Sequence, residues 1–291
     1  MSMSDSQPDK TRRWLTTSLL ALGCGGIGSG NIHARGAAAN FLIFDALLQH
    51  GKPNLSRQGL APMVAVADVW SGKGPQDNVD ERGIVAALDR LPADTRTLYV
   101  DIENWLLLGV AESVRDQNVE NYLQTARIIR RIKPQIKFGF YGVAPSCIYW
   151  PIVTQDQKSL AEWHAANRAM RPVAEVVDFL LPSLYTYYDD SAGWRQFASV
   201  TIDEARQYGK PVYPFLWFEY FDHNPVLRGH QVAVADWREE LALCRQHADG
   251  IVLWGGYEQN WSESAGWWQA VLALLPATAR SAMDTSVLAS V

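Results

Sequence analysis

The sequence predicts an α/β fold in which a parallel sheet closes into a TIM-like (β/α) barrel, and three observations support this prediction. Beyond residue 60, short runs rich in β-branched and aromatic residues alternate with longer segments of helical periodicity, as in parallel strands joined by helices. No glycine-rich phosphate loop follows the first such strand, which disfavours an open dinucleotide-binding sheet. The length of 291 residues suits one barrel with short extensions.

Six strand–helix units account for most of the chain. Strands are predicted, in order, at residues 61–70, 95–104, 135–143, 176–188, 210–220 and 250–258. The helices that follow them are predicted near residues 81–91, 118–134, 157–170, 191–209, 234–248 and 264–276. Residues 37–50, AAANFLIFDALLQH, are ambiguous, and they either complete the ring as a seventh strand or cap it.

The two ends of the chain are expected to lie outside the barrel. Arg12 and Arg13 precede a short apolar run, which is typical of an export signal and resembles a twin-arginine signal. Cys24 then stands where a lipoprotein anchor would be attached, and no other stretch is apolar enough to span a bilayer. We therefore expect a periplasmic or extracellular protein with three parts. These are an export signal and flexible N-terminus (1–36), a single barrel domain (37–277) and a C-terminal tail (278–291).

The net charge and the numbers of cysteines and histidines limit which partners and cofactors are expected. A net charge of −5 does not favour a polyanion-binding surface, so nucleic acid is not an expected partner. Three cysteines exclude a disulfide scaffold, and the sequence leaves open whether Cys147 and Cys244 pair. The six histidines show no metal-ligand spacing, so neither a metal nor another cofactor is expected. The sequence does not indicate an oligomeric state.

The stretch LYVDIENW, residues 98–105, places two carboxylates on a strand that otherwise reads as buried. Asp101 and Glu103 are two residues apart, so they share a face at the end of the strand where barrel enzymes assemble their sites. One carboxylate raises the pKa of its neighbour, which favours Glu103 as a general acid for glycosidic cleavage and Asp101 as its partner. Alternatively, the pair is structural and caps a helix or bridges to Arg96 or Arg115.

Several other strand ends carry aromatic or acidic residues. Since parallel barrel strands end at one rim, these side chains are expected to converge there as a substrate-binding surface. Aromatic faces also suit the apolar faces of pyranose rings, and the chain has 12 tryptophans. Taken singly, each residue is better explained as core or rim packing, and it is their joint placement at successive strand ends that favours a site. The candidates are Trp70, Trp105, Tyr141, Tyr185, Trp217, Glu219 and Trp254.

DIENW resembles the D-x-E-x-W signature of the hyaluronidase family, whose barrel enzymes cleave bonds beside N-acetylhexosamines. Three later segments resemble that family's later strands in the same order, so the resemblance covers about residues 61–272. These segments are LPSLY, PVYPFLWFEY and GIVLWGG.

The resemblance implies a retaining, substrate-assisted glycoside hydrolase. Glu103 matches the family's proton donor, and Asp101 matches the residue that orients the substrate's acetamido group. Tyr141 and Tyr185 match the tyrosines that hold the acetamido oxygen, and Trp254 matches the aromatic wall around them. Substrate assistance of this kind removes the need for a second catalytic carboxylate.

The sequence departs from the family pattern at two positions that affect the substrate. Leu106 stands where the family commonly has arginine, and Glu219 stands where a basic residue would suit an anionic chain. The three cysteines also cannot form the family's disulfides. A neutral or weakly acidic amino-sugar polymer is therefore expected at least as much as hyaluronan.

Other functions fit the same residues. A muramidase-like enzyme would use the carboxylate pair on peptidoglycan, and a non-catalytic barrel would bind glycan without turnover. A purely structural barrel would have no affinity for glycans.

Overall fold

The computed structural model describes residues 41–67 and 79–275. The strands in these residues are β1 (Leu42–Leu47), β2 (Ala61–Pro62), β3 (Val64–Ala67), β4 (Thr97–Asp101), β5 (Lys137–Phe140), β6 (Phe215–Trp217) and β7 (Gly250–Gly255). The helices are α1 (Glu81–Asp89), α2 (Glu112–Ile132), α3 (Trp150–Val153), α4 (Gln157–Ala169), α5 (Arg171–Val176), α6 (Ser191–Arg206), α7 (Val234–His247) and α8 (Gly266–Leu274). The predicted export signal, C-terminal tail and Trp70 lie outside the described residues.

The strands form two parallel sheets, ordered β2–β1–β7–β6 and β3–β4–β5. At one seam only Met63 separates β2 from β3, and its N–H donates to the carbonyl of Asp45 at 3.0 Å. At the other seam, residues 180–186 join β5 to β6 through isolated parallel bridges. These bridges are Tyr141 with Leu181, Leu180 with Val212, and Ser183 with Phe215. Counting β2 and β3 as one strand and residues 180–186 as another, the described residues contribute seven strands to the ring.

The ambiguous N-terminal segment supplies a strand of this ring. Phe44 of β1 lies opposite Val252 of β7 on one side and Ala61 of β2 on the other. Within this segment, Leu42–Leu47 therefore form a strand between the first and last units rather than a cap.

The continuous strand predicted for residues 176–188 is wrong. Helix α5 extends to Val176, and the following residues pair only by isolated bridges. Pro182 explains the interruption, since proline has no N–H to donate to a ladder. Pro211 and Pro214 shorten β6 in the same way.

Aromatic side chains fill the barrel interior in layers. Rings from non-adjacent strands meet across it; for example, Tyr99 of β4 lies 4.9 Å from Phe215 of β6, centroid to centroid. The interior is therefore a packed core, as in other barrels of this type. From the N-terminal to the C-terminal end of the strands, the layers are Phe44, Phe179 and Tyr213, then Tyr99, Tyr141 and Phe215, then Tyr185, Trp217 and Trp254.

A second apolar layer lies between the strands and the surrounding helices. Leu98 and Val100 of β4 point outward and are fully buried, as is Phe138 of β5. Helix α2 covers them with Tyr122 and Ile129, whose spacing follows the helical period. None of the helices in the described residues combines the length and the hydrophobicity that a membrane span requires.

Candidate active site

The carboxylate pair lies at the C-terminal end of β4. The predicted strand 95–104 is shorter than expected, since β4 ends at Asp101 and Glu103 lies two residues beyond it. Asp101 is half-buried and Glu103 is exposed. Between them, Ile102 turns outward into the buried layer, where its carbonyl accepts a hydrogen bond from the Tyr122 hydroxyl at 3.0 Å. The charges of both acids raise the pKa of the interior phenol of Tyr141, so the pair lies close to the inner side of the barrel although the strand has ended.

Tyr141 and Tyr185 lie beside this pair. Their ring centroids are 6.0 Å apart, and the Tyr141 hydroxyl donates to Ser183 Oγ at 3.0 Å. Burial raises the pKa of both phenols, and the negative charge of Asp101 adds to the effect on each. Both phenols are therefore neutral hydrogen-bond donors throughout the physiological pH range.

Two tryptophans close the opposite side of this group. Trp254 is half-buried, and its ring lies 5.7 Å from Tyr185 at an interplanar angle of 28°. Trp217 is 2% exposed and meets Trp254 edge-on at 4.9 Å. Part of the Trp254 side chain therefore stays accessible to solvent, while Trp217 packs against it.

Gly255 allows the chain to pass this support. Its φ of +106° is a conformation that side-chain-bearing residues rarely adopt. A Cβ at this position would also lie 2.2 Å from the indole nitrogen of Trp217. The first glycine of the GG pair in GIVLWGG is thus required by the packing of Trp217, whereas a Cβ at Gly256 would lie 2.3 Å from the Gln49 side chain.

Glu219 lies two residues beyond β6 and is 5% exposed. The Gln259 side-chain amide donates to its carboxylate. Burial, together with the charges of Asp222 and Glu258, raises the pKa of Glu219 to about 7, although the Trp217 indole opposes the shift. The rim therefore contains a carboxyl group that holds a proton near neutral pH.

Trp105 is not part of this group, so its prediction as a substrate-binding residue is wrong. It is 1% exposed and packs edge-on against Tyr122, with centroids 5.3 Å apart, in the layer between β4 and α2. Had the strand continued, Trp105 would have shared the face of Asp101 and Glu103. Because β4 ends first, the chain bends outward and carries the indole into the core.

The two cysteines of the barrel do not pair. Cys244 is fully buried on α7, and Cys147 lies near the rim; both are free thiols. Among the described residues, no three His, Cys, Asp or Glu side chains converge as a metal site would require.

A polar chain behind Tyr141 was missed by sequence reasoning. The Ser183 hydroxyl lies 3.4 Å from the Tyr187 hydroxyl, which lies 3.2 Å from Cys147 Sγ. The spacing of LPSLYTY contains a signal for it, since Ser183, Tyr185 and Tyr187 are two apart and share a face. Their contact with Tyr141 depends on the register between β5 and residues 180–186, which the sequence does not reveal.

No protein-family model matches the chain, and no curated protein matches it significantly. Among solved structures, the chain is similar to bee venom hyaluronidase. One crystal structure of that protein has a TM-score of 0.59 and 16% identity, over 80% of this chain and 95% of the other. A second, in complex with a hyaluronic acid tetramer, has a TM-score of 0.59 and 16% identity, over 80% and 94%. The likeness shows that the chain is a (β/α) barrel, as its sequence predicts.

Proposed function

We propose that this protein is a glycoside hydrolase that cleaves a polysaccharide containing N-acetylhexosamine. The observation that supports this most is the position of Asp101 and Glu103 at the barrel mouth, next to the neutral phenols of Tyr141 and Tyr185. The shared fold with bee venom hyaluronidase, whose structure includes a bound hyaluronic acid tetramer, supports a polysaccharide substrate.

In the proposed reaction, Glu103 donates a proton to the glycosidic oxygen as the bond from that oxygen to the anomeric carbon breaks. The carbonyl oxygen of the substrate's acetamido group forms a new bond to the anomeric carbon. The Asp101 carboxylate accepts a hydrogen bond from the acetamido N–H, and the two tyrosines orient the acetamido oxygen. Water, deprotonated by the Glu103 carboxylate, then displaces the acetamido oxygen, so the configuration is retained.

The exposures of the two acids fit these roles. Glu103 is exposed, so it can reach a polymer in the mouth and exchange its proton with water. Asp101 is half-buried and fixed at a strand end, which suits a group that orients rather than transfers.

Reducing-end release by the full chain tests the proposal, with N-acetylglucosamine oligomers, hyaluronan and peptidoglycan as substrates. We expect Glu103→Gln to lower turnover by about 10²- to 10⁴-fold, the usual effect of removing a general acid. Glu112→Gln, which changes an exposed carboxylate at the start of α2, should leave turnover unchanged.

Each alternative has its own outcome. Turnover of peptidoglycan alone would indicate a muramidase-like enzyme. Binding without turnover by the wild-type protein would indicate a glycan-binding barrel. Equal turnover by wild type and Glu103→Gln would remove Glu103 as the acid, and no affinity for any of the three polymers would leave the acids a structural role.

A further inference from the structure

We propose that Trp150 and Tyr188 form a second carbohydrate subsite, which binds a pyranose ring further along the polymer than the sugar held at Tyr185 and Trp254. We call this pair the distal platform. The inference rests on the proposed function and deepens it, because it implies a substrate of several sugar units.

Trp150 is the only exposed tryptophan in the described residues, at 48% of its surface. Burying an indole removes a large apolar area from water at roughly 25 cal/mol per Å², so leaving one exposed forgoes stability. Its ring is not isolated, since it lies 4.6 Å from that of the half-buried Tyr188, tilted by 42°. Together the two rings offer a broad apolar surface of the kind that the C–H face of a sugar covers.

The distal platform is held in place before any ligand arrives. Tyr149 meets the Trp150 ring edge-on at 5.2 Å and lies 4.9 Å from the Tyr188 ring. The Tyr149 hydroxyl donates to the Asp190 carboxylate at 3.2 Å, and Pro151 stiffens the backbone after Trp150. A surface that is already ordered loses little conformational entropy on binding.

A chain of ring contacts links the platform to the candidate active site. From Tyr185, ring contacts run through Phe221 at 5.5 Å and Tyr187 at 5.1 Å to Tyr188 at 6.4 Å. Tyr188 is three residues from Tyr185, which limits their separation along the backbone to roughly 10 Å. A polymer bound at Tyr185 and extending along this edge would therefore place a later ring on Trp150.

The charges beside the platform indicate which ring it takes. Asp189 is exposed and follows Tyr188, and the Tyr220 hydroxyl donates to its carboxylate at 3.1 Å. Asp190 follows in turn. Carboxylates accept hydrogen bonds from sugar hydroxyls but repel a carboxylated sugar. The platform therefore favours an uncharged hexosamine ring over a uronate.

Calorimetric binding of N-acetylglucosamine oligomers of two, four and six units tests the platform, using the full chain with Glu103→Gln to prevent turnover. We expect the affinity to rise with length. Adding Trp150→Ala should lower the affinity for the six-unit oligomer about tenfold, while the two-unit affinity stays within about twofold. Trp150→Phe should retain part of the increase in affinity with oligomer length, because phenylalanine keeps a ring face.

Leu42→Ala, added to the same Glu103→Gln parent protein, serves as the matched control, since Leu42 is 42% exposed at the opposite end of the barrel. It should leave the affinities for all three oligomers unchanged. Tyr188→Ala tests the same surface if Trp150→Ala does not fold, as judged by thermal unfolding. Hyaluronan oligomers of equal length should bind more weakly at the platform.

Two results overturn the platform alone. In one, the six-unit affinity is unchanged by Trp150→Ala; in the other, the short and long oligomers lose affinity equally. If the Glu103→Gln parent protein binds none of these oligomers, both the proposed function and the distal platform are contradicted.

Discussion

At the scale of single residues, the acids Glu103 and Glu219 at the barrel mouth differ mainly in their contact with water. Glu103 is exposed beside Asp101, whereas Glu219 is 5% exposed and carries a raised pKa of about 7. Burial and the neighbouring charges, not the residue type, set the raised pKa of Glu219. The sequence indicates the first acid by its motif, but the burial of the second is visible only in the fold.

Glu219 makes stability depend on pH. Its pKa is about 7 in the folded protein against an ordinary value of 4.5, so its contribution to stability is complete below about pH 4.5 and is lost as the pH rises through 7. We expect the free energy of unfolding of the wild type, relative to Glu219→Gln, to fall by about 2 kcal/mol between pH 5 and 8. Urea unfolding at both pH values measures this difference.

Glu112→Gln is the control for this comparison, because its side chain is 82% exposed. Parallel pH curves for the wild type and Glu219→Gln would show that burial does not hold the proton on Glu219.

At the scale of elements, the prolines and glycines decide where the strands end. Helices α4, α6 and α7 each begin at the predicted residue, whereas α2 begins at Glu112, six residues before its predicted start, and the short helices α3 and α5 were not predicted. The apolar periodicity of α4, α6 and α7 extends over three or more turns, so it is a strong signal. The strands were overestimated, because a short apolar run does not reveal where Pro182 or Pro214 interrupts the hydrogen bonding.

The uncertainty in where strands end also explains which site residues could be predicted from the sequence. Tyr141 and Tyr185 lie at or next to paired positions, so the alternation of a strand placed them correctly at the mouth. Trp105 lies beyond the end of β4, where the alternation no longer applies. Ser183 and Tyr187 depend on contacts between segments about 40 residues apart, which a single sequence does not report.

The turn that ends β7 gives a test at this scale. We expect Gly255→Ala to destabilise the protein by roughly 2–4 kcal/mol, since it combines a positive φ with a clash against the Trp217 indole. Gly51→Ala is matched to it, because φ at Gly51 is +73° but no atom lies within 4 Å of the added carbon. It should cost about 1 kcal/mol. Equal losses in denaturant unfolding would mean that the indole contact has no effect.

At the scale of the whole molecule, we propose that the barrel acts after export from the cytoplasm. The support is the pattern of Arg12 and Arg13 before a short apolar run. Cell fractionation checks it: the wild type should appear in the periplasmic or extracellular fraction, and replacing both arginines with lysine should retain it in the cytoplasm. Equal distributions of the two proteins would contradict a twin-arginine route.

The ends of the described barrel meet at one side chain. The Arg245 guanidinium lies 5.6 Å from the Phe41 ring and donates to the carbonyl of Leu274 at 2.9 Å. Because β1 starts directly after Phe41, this junction lies on the face where the strands begin, opposite the carboxylates. A barrel immobilised on a solid support through a linker attached directly before Phe41 would therefore keep its mouth turned toward the medium, where long polymers could enter without meeting the support.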